Sequence, residues 1–164
     1  MKAEDFPELL KGLTIEGVTV EPAPENQPNY DPGSKPLSGL QHGFIVTGPS
    51  GGRLAWQVAM FSDKTMSPKE GTPPPFPSLD PVVKDGRMST ASVQSAIAAW
   101  LGTTEAKDYI SSLTFYDGNP GRGIQYGIRI ELHSGEIVFI QLLWSLAPKE
   151  VPDLDNKFKA KEFV

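Results

Sequence analysis

Leu40 to Phe61 reads LQHGFIVTGPSGGRLAWQVAMF, and Ile124 to Ser145 reads IQYGIRIELHSGEIVFIQLLWS. Each stretch alternates apolar with other residues through a first arm, reaches a Ser-Gly pair, and alternates again through a second arm. Successive side chains of a strand point to opposite faces, so this alternation marks one face of each arm for burial. Phe44 and Val46 share a face with Leu54, Trp56, Val58 and Met60 only if the loop between the arms holds an odd number of residues. Three-residue loops at Pro49-Ser50-Gly51 and His133-Ser134-Gly135 meet that condition, each a type I turn followed by a left-handed glycine. The register that results sets Gly43 against Gln57 and Gly127 against Gln141, with Gln41 and Gln125 diagonal to them, so that side-chain amides cover bare glycine backbone.

At a constant offset of 84, Gln41, Gly43, Ser50, Gly51 and Gln57 match Gln125, Gly127, Ser134, Gly135 and Gln141. Upstream, LLKGLTI resembles the passage ending in SSLTF. The chain therefore reads as one compact α+β domain, 1–164, carrying an internal duplication of a helix followed by three antiparallel strands. The units are 1–61 and 90–148, joined by a Pro-rich connector, 62–89, and followed by a charged tail, 149–164, expected to form one late turn or to lie on the surface. Mainly antiparallel strands should form one six-stranded sheet or two abutting sheets, with the helices on one side.

In the second unit Val93, Ala96, Ile97, Trp100 and Leu101 recur at helical spacing between Ser89 or Thr90 as N-cap and Gly102 as terminator. LTIEGVTV reads as a strand with a bulge at Gly17. EIVFIQLLW is apolar on both faces and should be central, or covered from both sides by the helix, the connector or a partner. Residues 21–39 have loop composition, with prolines at 22, 24, 28, 32 and 36. PPPFP in the connector is polyproline-like, with Phe76 packing down on the fold as its bland reading.

Composition removes several classes of function. The absence of cysteine excludes disulfides, thiolate metal sites and a cysteine nucleophile. A net charge of −5 without a basic stripe leaves nucleic-acid affinity no evident source. No run approaches membrane-spanning length, and MKAEDFPELLKG has acids where a signal peptide needs an apolar core, so a cytoplasmic location is expected. No cofactor or metal is expected either. His42, on the apolar face of a strand, and His133, at a turn, are the only histidines and have no acid or second ligand at motif spacing. DGNPGRG, with Asp117 and Arg122, is followed by a strand rather than by the helix that a phosphate cradle needs, and reads as a turn. Trp56, Trp100 and Trp144 fall at core-facing positions.

These exclusions leave a small acidic protein-binding module as the leading expectation, an inhibitor or immunity-type protein that neutralises a partner enzyme with a basic surface. Its contacts would come from the distinctive loops: Tyr30, Asp31, Phe76, Asp117 and Arg122. The alternative is a ligand-binding or enzymatic domain with its pocket between the two units, using His42, Arg122 or Arg129. A third reading, a homodimer pairing through a sheet edge, would need an exposed, uncharged edge strand.

Overall fold

The computed structural model describes residues 1–23, 42–62, 67–69, 71–121 and 123–164. After a 3-10 turn at Ala3–Asp5 come α1 (Phe6–Leu10), β1 (Thr19–Pro22), β2 (Phe44–Thr47) and β3 (Arg53–Phe61). A small hairpin, β4 (Val83–Lys84) and β5 (Arg87–Met88), leads into α2 (Thr90–Leu101). A second 3-10 turn, Glu105–Asp108, precedes β6 (Ile110–Phe115), β7 (Gly127–Leu132) and β8 (Ile137–Leu146). The class is α+β, with one antiparallel six-stranded sheet in the order β1-β2-β3-β8-β7-β6. Both halves run helix, strand, strand, strand, so what recurs is the order of elements and the geometry of the hairpin.

That geometry follows from loop length. Gly48 N–H donates to Gly52 O at 2.9 Å and Gly51 N–H to Gly48 O at 3.0 Å; Leu132 N–H donates to Glu136 O and Gly135 N–H to Leu132 O, both at 2.9 Å. Gly51 and Gly135 both sit at φ 91°, where a Cβ would be strained. Phe44 therefore faces Trp56, and Gly127 faces Gln141, as loop parity requires.

The halves meet along β3 and β8. Trp56 pairs with Leu142, Gln57 with Gln141 and Val58 with Ile140. The 84-residue offset exchanges the outer two pairs and leaves the middle one in place, so a local two-fold axis passes between Gln57 and Gln141. A bulge then ends the symmetry, because Ala55 pairs with Trp144 and leaves Leu143 extra. Trp144 thereby turns to the face opposite Leu142, away from the helices, a correction to the core-facing position expected of it.

Both helices lie on one side. Phe6 and Leu10 of α1, and Val93, Ala96, Ile97 and Leu101 of α2, close over Phe44, Val46, Leu54, Trp56, Ile128, Ile130 and Ile140. Ser89 caps α2, its Oγ accepting Ser92 N–H at 3.2 Å. Gln94, only 5% exposed, enters the sheet margin: its Oε1 accepts Gly127 N–H at 2.7 Å and its Nε2 donates to Tyr116 O at 3.1 Å.

The tail makes the expected late turn, at 154–158, but packs on the fold rather than simply lying on the surface. Ala55, Leu143, Trp144 and Leu146 form an apolar strip on the second face, and Phe158 packs on it. Phe158 N–H donates to Leu143 O at 2.7 Å and Trp144 Nε1 to Asp153 O at 3.0 Å. The chain then runs to β5, where Val164 exchanges hydrogen bonds with Met88 and is 4% exposed. Charge on alternate residues hid this, because lysine stems can cover apolar surface while their ammonium groups stay wet. LTIEGVTV is also shorter as a strand than expected. Ile15 O accepts Val18 N–H at 3.4 Å across Glu16-Gly17, Gly17 takes φ 85°, and pairing begins only at Thr19.

Candidate functional site

A trough runs along one flank of α2, at the seam between the halves. Its deeper part has a volume of about 580 Å³; Ala96 and Trp100 form its floor, the turn from Thr14 to Gly17 one wall, and Leu79, Asp80, Pro81 and Val83 the other. A shallower continuation of about 170 Å³ shares Ala96 and Asp80 and is lined by Ser78, Ser92 and Ser95. Three separate pieces of sequence thus build it: the first unit, the connector and the helix of the second unit.

Local structure holds each wall. Leu13, 3% exposed, anchors the first turn in the core, and Gly17 permits the reversal that leaves Glu16 exposed. On the other side Val82, 1% exposed, fixes the segment, with Ser89 N–H donating to Val82 O at 2.9 Å. Leu79 is consequently held at the rim 66% exposed, beside Asp80. Phe76 closes the C-terminal end of α2, where a Cβ on Gly102 would come within 2.7 Å of its ring. Thr103 Oγ1 is already engaged, donating to Trp100 O at 2.7 Å. The trough therefore offers apolar surface from Ile15, Leu79, Val83 and Trp100, two carboxylates, Glu16 and Asp80, and a row of serines. Among the described residues no lysine, arginine or histidine lines it.

Two further features of the surface stand out. Among the described residues Met1, Glu4, Asp5, Glu8 and Glu105 surround an acidic hollow of about 490 Å³. On the open part of the second sheet face Phe61, 50% exposed, pairs with Ile137, and Ala59 pairs with the half-buried Phe139. β8 is thus central and covered on one side by α2, while the tail covers its other side only at the Trp144 end. Glu131 borders this patch, bonded to both Lys69 and Arg129.

Of the residues singled out in the sequence, Tyr30, Asp31 and Arg122 lie outside the described residues. Phe76 is half-buried and packs against the core, and Asp117 accepts Asn119 N–H at 3.0 Å at the opening of the β6–β7 loop. His42 precedes β2 and is exposed, not on an apolar strand face as expected, because pairing with β3 starts at Phe44. His133 binds the connector: its Nδ1 lies 2.8 Å from Lys69 O, and its own carbonyl accepts Lys69 N–H at 2.6 Å. Arg129 is engaged with Glu131. No group of three potential metal ligands occurs among the described residues. Glu16, Asp80 and the serines carried no motif spacing, and only the folded chain brings them together. No known protein family, curated protein or solved structure matches the chain.

Proposed function

We propose that the protein acts by binding another protein, seating an extended partner segment in the trough over α2 and thereby blocking that partner. The observation that carries this reading is the lining: apolar walls interrupted by two carboxylates and, among the described residues, by no base. Such a surface favours a segment with an apolar side chain over Trp100 and a lysine or arginine beside Asp80 and Glu16. From Ser92 to Trp100 the helix rises about 12 Å, which matches about four residues of extended chain. The net charge of −5 steers basic partners toward the molecule as a whole.

A second reading has its own support, since about 580 Å³ is also the size of a small-molecule site at the seam between the units. One experiment separates the two. A photo-crosslinking residue at Leu79, already exposed, is used to capture the partner from the native source, and the crosslinked segment is sequenced. A basic, apolar segment whose capture is abolished in an Asp80→Lys/Glu16→Lys chain supports protein binding. Capture that survives both charge reversals, or only small molecules eluting from the protein, overturns it.

A further inference from the structure

The two edges of the sheet are built differently. β1 is four residues long and carries Glu21 and Pro22, two of the features that prevent an edge from pairing with other chains. β6 runs six residues, ISSLTF, with neither charge nor proline, and among the described residues is the last strand on its side. Its pairing to β7 fixes which backbone groups are free. Tyr116 N–H donates inward to Gly127 O at 2.9 Å, and Thr114 and Ser112 fall at the same phase opposite Arg129 and Glu131. In an antiparallel ladder the alternate residues point their N–H and C=O the other way, so those of Leu113 and Phe115 face outward.

We propose that β6 pairs antiparallel with β6 of a second copy, around a two-fold axis at Thr114. Only residues of the same phase can exchange hydrogen bonds across the new seam, and centring on Thr114 sets Leu113 of each copy against Phe115 of the other. Four backbone hydrogen bonds then form from donors and acceptors that no other described residue engages in the single chain. Phe115, 38% exposed, shares a sheet face with Leu113, which already packs on the core. The pairing therefore extends the apolar helix-side face across the axis. The absence of charge on β6 matters in a chain of net charge −5, because two copies meet here without opposing like charges. The inference is independent of what the trough binds.

The test is the mass in solution, by sedimentation or light scattering across a concentration series. Wild-type protein is expected at twice the monomer mass at high concentration. Thr114 is exposed, so Thr114→Lys and Thr114→Glu are expected to fold as wild type does, which circular dichroism checks. Each places like charges on the axis and should be monomeric where the wild type is dimeric, and an equimolar mixture of the two should regain the doubled mass. Three results overturn the proposal: a wild type that stays monomeric to its solubility limit, single variants that dimerise as the wild type does, or a mixture that stays monomeric.

Discussion

The side-chain amides of Gln57 and Gln141 meet at 2.7 Å across directly paired positions of the two central strands, Gln57 donating and Gln141 accepting. Gln141 also donates through Nε2 to Tyr116 Oη at 3.0 Å, so a short polar chain crosses the sheet from β3 to the end of β6. Gln141→Ala removes both bonds and should cost about 1–2 kcal/mol, against about 0.5–1.5 kcal/mol for Gln57→Ala. Because the residues share one bond, the double variant should cost less than the sum. Urea unfolding of the four chains measures the coupling, and strictly additive costs would show that the amide pair contributes nothing.

Gln94 stands in for a missing rung of the ladder. At the β6–β7 margin Gly127 N–H has no strand carbonyl and donates to Gln94 Oε1, while Tyr116 O accepts from Gln94 Nε2. Gln94→Leu preserves bulk and burial but orphans both groups, at an expected cost of about 1–3 kcal/mol. Hydrogen exchange at the Gly127 amide should accelerate out of proportion to the change in global stability. An unchanged exchange rate would mean that the bond is not what protects this amide.

How legible the fold was in the sequence depended on how local the cause was. Both long hairpins were readable because face parity and a glycine after the turn leave a single loop length, and α2 because five apolar residues recur at helical spacing. The β4–β5 hairpin was missed although Lys84-Asp85-Gly86-Arg87 carries the strongest two-residue turn signal; Asp85 and Gly86 sit at φ 53° and 75° as such a turn demands. The surrounding prolines drew the whole of 62–89 into one connector. The bulge at Leu143 left no trace because both faces of that strand are apolar there, so a slip of one residue changes no visible pattern. The trough was illegible for a different reason. Its two acids, Glu16 and Asp80, are brought together by contacts distant in sequence, and neither has a motif around it.

Glu131 gives a pH-dependent prediction. Its carboxylate is bonded to Lys69 and Arg129, with the side chain 12% exposed. The hydrogen bond from Lys69, with the Arg129 and Lys69 charges, holds its carboxyl below the usual range against the opposing effect of burial. A carboxyl depressed in the folded state stabilises the fold above its unfolded pKa, and that stability is lost as pH falls through the folded value. Glu131→Gln should therefore cost about 1 kcal/mol at neutral pH, and the two chains should converge in strong acid. Unfolding free energies that run parallel at every pH would remove Glu131 from the acid sensitivity of the protein.

Gly52 and Val164 make the closest approach between the first hairpin and the tail. A Cβ on Gly52 would stand 2.5 Å from the Val164 carbonyl carbon and 2.9 Å from its Cβ, and Val164 is itself held on both sides by Met88. Backbone cannot yield as a flexible side chain does, so Gly52→Ala must push the end of the tail off β5 or distort the turn, at about 1–3 kcal/mol. Removing Val164 alone also destabilises, because a residue 4% exposed and packed in the core is lost. In the chain lacking Val164, however, the alanine at 52 meets no carbonyl carbon. Gly52→Ala should then cost a few tenths of a kcal/mol at most, a non-additivity expected only of residues in direct contact. Thermal unfolding of the four chains decides it: equal costs with and without Val164 would place the strain of the substitution in the hairpin turn and not against the tail.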